Sequence, residues 1–358
     1  MKIVFTTTVY LPHIGGIEIC IHELAQYMLK KGFEVSVIAA DTNVKRCTQE
    51  IIDGEKIIRI PAYEICNFFV LKNSKYKSTI IDEVKDADVV HVNMSKFLFS
   101  FFAKLKRKYG YRLIATSHGW FYHTNRHKFV KDLYFKQIIA KYAPYYDGII
   151  NVSPQDQEIA ESFGVKNTCV ILNGVDLKKF SGIEKKKSFN NTFVYFGRIS
   201  ENKGIYQCLE KLSDYKSDYR FYIIGKCEDK EYLNKLKALI KEKKMSGNII
   251  FCGQLSNNEI REKIIESDII LMPSLHEGFG MTLVECLASN KPIIANDIDS
   301  YRYILTSVNA KEYLFNYSSS NPISEKITVL CNKKIKIENL DQFSNEEMAR
   351  KTLKIYGI

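Results

Sequence analysis

The chain has 358 residues, 46% of them hydrophobic, with 7 prolines and 18 glycines, which excludes extensive disorder and allows two cores of ordinary size. Nine scattered cysteines argue against a disulfide framework or a zinc site, and the apolar runs are too short for a membrane helix or a signal peptide. The net charge of +11 is concentrated between Lys96 and Lys141, where eleven basic residues stand against one acidic residue. We therefore expect a cytoplasmic protein. The basic stretch indicates either an anionic partner or simply a surface exposed to solvent.

The first 170 residues alternate short β-rich runs with helical patterns. Apolar residues recur at helical spacing from Ile17 to Met28, and Gly32 ends this segment as a C-cap glycine does. A strand, a helix and a strand at this spacing predict a parallel sheet. The predicted strands are 2–7, 34–39, 57–60, 88–92, 112–116, 148–152 and 169–172.

The same pattern restarts at Thr192 and predicts an α/β fold with two Rossmann-like, doubly wound domains. The predicted bounds are 1–172 and 192–340, with a polar linker at 173–191 and a C-terminal helix at 341–358 that packs back on the first domain. We expect the ligand in the cleft between the domains. The predicted strands of this half are 192–196, 219–224, 248–252, 269–272 and 292–295, with helices near 204–213, 229–244, 258–266 and 280–289.

A glycine-rich turn between a predicted strand and helix, residues 276–285, carries the strongest functional signal. Gly278 and Gly280 let backbone amides approach a ligand closely, and the helix N-terminus favours an anion such as a diphosphate. Glu277 can accept hydrogen bonds from a sugar, and Glu285 can reach the hydroxyls of a ribose. The alternative is that both are ordinary acids near a helix N-terminus.

The turn after the predicted strand 192–196 reads Gly197-Arg-Ile-Ser-Glu-Asn-Lys-Gly204 and supplies two cations, Arg198 and Lys203. Two cations and a helix N-terminus can neutralise a leaving diphosphate without a metal ion. The alternative is a solvated basic turn.

Three further motifs are weaker when taken singly. Gly15-Gly16 lies between the first strand and helix but lacks the GxGxxG pattern and the lysine of a P-loop. His118 follows the predicted strand 112–116, where it is either a site residue or a structural histidine. Asp297-Ile-Asp299 matches an Asp-x-Asp metal motif, but it follows a strand of the second domain, and we expect no metal there.

Together these blocks resemble glycosyltransferase family 4, which has the GT-B architecture of two Rossmann-like domains. The resemblance rests on the Glu-x7-Glu spacing of Glu277 and Glu285, on the 197–204 block and on the linker 173–176. The block 118–124 resembles more specifically the α-mannosyltransferases of acetan and xanthan assembly, with Trp120 in place of a glycine. Those enzymes use GDP-mannose and a polyprenyl-diphosphate-linked disaccharide.

The resemblance implies a retaining hexosyltransferase that needs neither a metal nor a cofactor and acts on a membrane-linked glycan. It implies a front-face mechanism in which the leaving phosphate oxygen helps to deprotonate the acceptor hydroxyl. The implied catalytic residues are His118, Lys203 and Glu277. Donor contacts are implied for Gly16, Ser153, Arg198, Lys203, Glu277, Gly278, Phe279, Gly280 and Glu285.

The basic stretch between Lys96 and Lys141 is interpreted as the surface that meets the acceptor and the membrane. We expect residues 97–108 to dock on an anionic membrane at the cytoplasmic face, with apolar side chains inserted and cations on the headgroups. The residues assigned to this face are Lys104, Lys106, Arg107, Lys108, Trp120 and His123.

Several alternatives stay open at this stage. The same fold can use a UDP-hexose donor for lipopolysaccharide, capsule or glycolipid synthesis, or it can epimerise or phosphorylate sugars. A nucleic-acid-binding protein would explain the charge but lacks a reading motif. A nicotinamide oxidoreductase would explain the alternating pattern but lacks GxGxxG after the first strand.

Overall fold

The computed structural model of the chain describes residues 1–13, 15–65, 68–93, 97–120, 128–184, 188–333 and 335–358. These residues form two compact units, of which the first comprises Met1–Gly174 with Gln342–Ile358 and the second Val175–Asp341. No helix within the described ranges is long and apolar enough to cross a membrane.

The first unit alternates strands and helices. Its elements in chain order are β1 (Lys2–Thr7), α1 (Gly16–Lys30), β2 (Glu34–Asp41), β3 (Thr48–Ile52), β4 (Glu55–Ile65), β5 (Phe68–Leu71), α2 (Tyr76–Val84), β6 (Val89–Asn93), α3 (Phe99–Tyr109), β7 (Arg112–Thr116), α4 (Lys128–Tyr134, continued by a π-helical turn at Phe135–Ala140), β8 (Gly148–Asn151), α5 (Pro154–Ser162) and β9 (Thr168–Val170).

The second unit repeats this alternation, and the chain then returns to the first unit. The elements are β10 (Thr192–Phe196), α6 (Ile205–Ser213), β11 (Arg220–Ile224), α7 (Lys230–Glu242), β12 (Ile249–Gly253), α8 (Asn257–Glu266), β13 (Ile269–Met272), α9 (Met281–Ala288), β14 (Ile293–Asn296), α10 (Asp299–Ser307), β15 (Leu314–Phe315), α11 (Ile323–Asn332) and, in the first unit, α12 (Asn345–Tyr356).

Both units contain a Rossmann-like parallel sheet, which confirms the predicted fold class. The second sheet has the order β12-β11-β10-β13-β14-β15, in which the strand order reverses between β10 and β13. The first sheet runs β3-β4-β2-β1-β6-β7-β8-β9 and reverses between β1 and β6, with antiparallel β3 and β5 added to β4. Ligands of doubly wound sheets bind at such reversal points, outside the carboxyl ends of the strands.

Helices cover both faces of the first sheet because its strands are apolar on both sides. On one face α1 buries Cys20, Ile21, Leu24 and Met28, whose spacing predicted the helix. The same core takes in residues of α12, whose Met348, Ala349 and Tyr356 are buried. The core on the other face of the sheet contains buried residues of α2, α3 and the π-helical turn after α4.

The structure departs from the predicted elements at the sheet margins and in the linker. The predicted strands lack β3, β5 and β15. β3 is largely exposed and β15 has only two residues, whereas β5 is an apolar run of four residues that the prediction missed. Residues 175–184 of the predicted linker pack in the second unit. Phe180 lies edge-on to Phe196, and Arg261 donates hydrogen bonds to the carbonyls of Lys179 and Ser181.

Gly204 allows the loop after β10 to approach the loop after β13. It has a φ of 66°, and a Cβ at this position would overlap the carbonyl oxygen of Pro273. The backbone amide of Leu275 also donates to the carbonyl of Asn202 at 2.8 Å, so the two loops are joined through their main chains. No side chain larger than hydrogen fits at Gly204 in this arrangement.

We predict that Gly204→Ala destabilises the second unit by about 3 kcal/mol or more, since left-handed strain adds to a clash with rigid backbone. The matched control is Gly182→Ala, because Gly182 has a φ of 68° but a Cβ there would meet no atom within 4 Å. Gly182→Ala should cost only about 1–2 kcal/mol of strain. Urea unfolding of the two variants measures the difference, and equal losses would contradict the close approach.

Candidate functional site

The second unit brings its two predicted motifs together at the point where its strand order reverses. Parallel β10 and β13 are neighbours, so the loops that follow them, 197–204 and 273–280, leave the sheet at the same edge. Lys203 comes from the first loop and Glu277 from the second, and they meet in an ion pair of 2.6 Å. Sequence reasoning assigned both residues to one site, and the geometry joins them directly.

Glu277 is the centre of this arrangement. Its Oε1 accepts hydrogen bonds from Lys203 Nζ at 2.6 Å, from Ser274 Oγ at 2.8 Å and from the Tyr301 hydroxyl at 3.2 Å. Burial raises the pKa of Tyr301 well above its usual range, so this hydroxyl stays protonated as a donor. The carboxylate of Glu277 is therefore held by three donors from three different segments.

The turn before α9 presents the N-terminus of that helix. Gly280 precedes the helix with a φ of 106°, and a Cβ there would come within 2.8 Å of the Tyr301 ring. Further along α9, Glu285 Oε1 accepts from Lys179 Nζ at 2.7 Å. Gly278 lies half-buried and Phe279 buried in the same turn. The helix N-terminus and the Lys203 ammonium thus bring positive potential to one edge of the sheet.

Arg198 lies in the same loop as Lys203, and its side chain is exposed. Its backbone is fixed, because its carbonyl accepts a hydrogen bond from the Tyr195 hydroxyl at 2.7 Å. The next residue, Ile199, is buried and bonded to the carbonyl of Lys226. The guanidinium is therefore available to an anion at a loop that is anchored on both sides.

His118 occupies the corresponding edge of the first unit, after β7. It has a φ of 44°, a conformation that is strained for a residue with a side chain, and such strain clusters at functional sites. Its Nε2 lies 3.0 Å from Asn93 Oδ1, at the end of β6. Burial lowers the pKa of His118 to about 4, so the ring is neutral at physiological pH. No described residue contacts its buried Nδ1 by a hydrogen bond.

The other predicted donor contacts of the first unit have local structural roles. Gly16 is the first residue of α1 and is exposed. Ser153 caps α5, where its Oγ accepts from the Asp156 amide at 3.2 Å. Burial raises the pKa of Asp156 to about 6, although hydrogen bonds from Ser153 and Ser117 oppose this shift.

Trp120 does not face a membrane, because its side chain is buried. Its indole nitrogen donates to Asn151 Oδ1 at 2.7 Å, and its ring packs on Phe135. Its bulk therefore fills the core of the first unit. His123, also assigned to the acceptor face, lies outside the described residues.

The apolar side chains of 97–108 do not insert into a membrane either, which corrects that expectation. Phe97, Phe99 and Phe102 are buried in the core, because an amphipathic helix beside a sheet buries its apolar face. The cationic face of α3 remains: Lys104, Arg107 and Lys108 are exposed, whereas Lys106 pairs with Asp147 at 2.6 Å.

Tyrosines extend this cationic face. Lys104 lies over the Tyr142 ring and Arg107 over the Tyr145 ring, each at 5.7 Å. We call the set Lys104, Arg107, Lys108, Tyr142 and Tyr145 the α3 surface. Its cations and aromatic rings together suit an anionic partner.

Asp297 and Asp299 are engaged with a cation of their own helix. Arg302 approaches Asp297 Oδ1 to 2.7 Å and Asp299 Oδ1 to 2.8 Å. No cluster of three or more potential metal-ligating side chains occurs in the described part of the chain. Both aspartates of the Asp-x-Asp match thus form ion pairs with Arg302 near the start of α10.

Four residues of these two sites were not found by sequence reasoning: Lys179, Ser274, Tyr301 and Asn93. Lys179 stands in the predicted linker, and Tyr301 follows the Asp297-Ile-Asp299 match without belonging to a motif itself. Only Asn93 and Ser274 had a signal, because Asn93 is the last residue of buried β6 and Ser274 lies two residues after buried β13, both at the expected ligand edge.

Two domain families together match nearly the whole chain. Residues 14–179 match the domain family described as Glycosyltransferase Family 4, and residues 177–347 match the one described as Glycosyl transferases group 1. Both predicted halves are therefore represented, one by each domain family.

Similar individual proteins agree with these families. The GDP-mannose:cellobiosyl-diphosphopolyprenol alpha-mannosyltransferase of Xanthomonas oryzae pv. oryzae is 27% identical over 84% of this chain and 80% of its own length. The protein of the same name from Komagataeibacter xylinus is 23% identical over 83% of this chain and 76% of its own. The structure of Anabaena Alr3699/HepE in complex with UDP superposes with a TM-score of 0.77 at 16% identity and full coverage of both chains, and it shares the GT-B fold.

The low pKa of His118 predicts a pH-dependent stability difference between the wild type and His118→Gln. Between pH 6.5 and 4 the unfolded chain binds a proton at His118 that the folded chain does not bind, so wild-type stability falls as pH falls. The variant lacks this loss. Relative to the variant, the wild type should lose about 1.4 kcal/mol per pH unit at the steepest point.

Chemical denaturation at half-unit pH steps measures this difference. Asp156 is present in both proteins, so its contribution largely cancels. Burial, the main cause of the low pKa of His91, is also common to both, whereas the smaller effect of the His118 charge on His91 is lost in the variant. Parallel stability curves from pH 7 to 4 would contradict a depressed pKa at His118.

Proposed function

Because the chain belongs to glycosyltransferase family 4, we propose that it transfers mannose from GDP-mannose to a polyprenyl-diphosphate-linked glycan with retention of anomeric configuration. The observation that carries this proposal is the name shared by relatives that align over more than four fifths of the chain. The arrangement of Lys203, Glu277 and the α9 N-terminus supports it, since it suits a sugar with a charged leaving group.

The second unit would bind the donor. Lys203, Arg198 and the amides at the start of α9 would take up the negative charge of the departing nucleoside diphosphate. Glu277 would accept hydrogen bonds from the transferred hexose, since its carboxylate is already oriented by Ser274 and Tyr301. Glu285 would do the same for the ribose. Lys203, Arg198 and the α9 amides would stabilise the leaving diphosphate as a metal ion does in other glycosyltransferases. We therefore propose that no metal ion is required.

The chemical step follows from this charge arrangement. The acceptor hydroxyl oxygen would form a bond to the anomeric carbon while the bond from that carbon to the diphosphate oxygen breaks. The hydroxyl proton would pass to that leaving oxygen on the same face of the sugar, which preserves the configuration. His118 would contact the sugar as a neutral ring, since its pKa near 4 keeps it unprotonated.

The first unit would receive the acceptor. The α3 surface combines exposed cations with tyrosine rings, which suits the phosphates of a lipid surface or of a lipid diphosphate. Peripheral association with the cytoplasmic membrane face would follow from the acceptor's anchor. A UDP-hexose remains the second candidate donor, because Alr3699/HepE, which shares the fold, was crystallised with UDP.

We predict that Lys203→Ala lowers kcat at least about 100-fold, because a cation that stabilises the leaving diphosphate is lost. Lys203→Arg, which keeps the charge, should be less affected. The matched control is Lys235→Ala, since Lys235 is an exposed lysine of the same unit over the Tyr206 ring. Initial rates of nucleoside diphosphate release measure the effect, with melting temperatures recorded to detect any loss of fold. Near-normal turnover of folded Lys203→Ala would refute the assignment.

The donor is identified by comparing GDP-mannose with UDP-glucose, UDP-galactose and UDP-N-acetylglucosamine, all in the presence of EDTA. GDP-mannose at a hundred times its dissociation constant should raise stability by about 2.7 kcal/mol, whereas non-binding donors should not change it. Thermal shift measures binding, and product NMR reports the anomeric configuration. Binding of a UDP-hexose alone would replace the proposed donor, and loss of activity in EDTA would contradict the metal-free mechanism.

A further inference from the structure

A short antiparallel ribbon at the margin of the first sheet carries an unusual apolar face. The end of β4, residues 63–65, pairs with β5 in the register Tyr63↔Val70 and Ile65↔Phe68. Successive residues of a strand point to opposite faces, and directly paired residues share a face. Tyr63, Ile65, Phe68 and Val70 therefore lie together on one face of the ribbon, which we call its outer face.

The opposite face of the ribbon already has a partner. Phe69 and Leu71 pack against the core of the first unit. The outer face, by contrast, remains in solvent: Tyr63 is 56% exposed, Ile65 57% and Val70 51%, while Phe68 packs on Tyr134 of α4. β5 is apolar on both faces, and the exposed part of its outer face forms one apolar patch with Tyr63 and Ile65. Such a patch is typical of a surface that meets a partner.

On the outer face, charge is confined to one end of the ribbon, and the acidic residue of the paired segment, Glu64, lies on the opposite face. Lys72 follows Val70 on the outer face, and its ammonium lies 5.6 Å from the centre of the Tyr63 ring. Lys72 also donates to the carbonyls of Thr42 and Val44, which brings the loop 42–46 beside the ribbon. In that loop Lys45 and Arg46 are exposed. The outer face is thus apolar toward residues 65 and 68 and cationic at its base.

The change from apolar to cationic residues along the outer face suits an anionic bilayer better than another protein. Apolar side chains gain by entering the acyl region, a tyrosine suits the headgroup level, and lysines keep their ammonium groups on lipid phosphates. A self-associating copy would bring the same cations against each other. Unlike Phe99 and Phe102 of α3, which are buried, Tyr63, Ile65 and Val70 of the ribbon are exposed and available to lipid.

We propose that the outer face of the ribbon inserts Tyr63, Ile65 and Val70 into the interface of an anionic lipid bilayer, with Lys72, Lys45 and Arg46 on the headgroups. This docking goes beyond the proposed sugar transfer, because it requires neither donor nor acceptor. It adds a hydrophobic anchor to the electrostatic attraction that the α3 surface can supply.

The test compares the wild type with the double variant Ile65→Ser/Val70→Ser. Each protein is floated with vesicles of phosphatidylcholine and phosphatidylglycerol in equal amounts, in 0.1 M and in 1 M NaCl. Salt screens the electrostatic part, so binding that persists at 1 M reports apolar insertion. The wild type should retain binding at high salt, and the double variant should bind about tenfold or more weakly there.

The matched control is Ile51→Ser. Ile51 lies on β3 of the same sheet and is 76% exposed, but it is not part of the ribbon. This variant should bind vesicles as the wild type does. A Tyr63→Trp variant supplies a direct readout, since its emission should shift to the blue when vesicles are added; Trp120 is buried and provides a constant background.

The possible results distinguish membrane docking from self-association and from failure of the proposed function. Wild-type protein that does not float at high salt, or a folded double variant that floats equally well, would overturn the proposal. A wild-type dimer that the double variant converts to monomer, seen by sedimentation, would assign the face to a second copy instead. Mannosyl transfer to a detergent-solubilised acceptor is measured in parallel, so failure of docking and failure of the proposed function are distinguished.

Discussion

The ion pair between Lys203 and Glu277 is the contact on which the candidate site of the second unit depends. It joins the loops that follow two neighbouring strands at the point where the strand order reverses, and both side chains are largely buried. Two charges withdrawn from water are stable only when well paired and hydrogen-bonded, which Ser274 and Tyr301 ensure. Gly204 permits the close approach of the loops. The cation and the α9 N-terminus are therefore preorganised rather than assembled on binding.

In the first unit, a buried polar network rather than an ion pair stabilises the edge of the sheet near His118. His91 bonds through one ring nitrogen to the Tyr356 hydroxyl of α12 at 2.5 Å and through the other to Thr116 at 2.7 Å. Burial lowers the pKa of His91 to about 3, so the ring stays neutral. Thr116 is the last residue of β7, two residues before His118. The C-terminal helix thus stabilises the strand from which the strained turn at His118 begins.

The basic stretch shows how the fold separates charge from apolarity. In residues 97–108 the aromatic residues come first and the cationic residues follow, yet the helix turns most of the two kinds toward different faces. Phe99 and Phe102 complete the core, while Lys104 and Arg107 stay in solvent over tyrosine rings. Three exposed apolar residues of this unit, Tyr63, Ile65 and Val70, instead lie together on the ribbon of β4 and β5, for which no motif was available.

The two Rossmann-like units could be predicted from the amino-acid sequence, since buried parallel strands appear as short apolar runs. Lys203 and Glu277 could be named as candidates, because glycine-rich turns at strand ends can bring the backbone close to an anion. The neighbours of those residues, by contrast, follow from how the elements pack in three dimensions. Tyr301 belongs to a different element and carries no local signal, so its contact with Glu277 depends on how α10 packs. Burial likewise decided that Trp120 is a core residue, because exposure depends on the surrounding elements and not on the side chain itself.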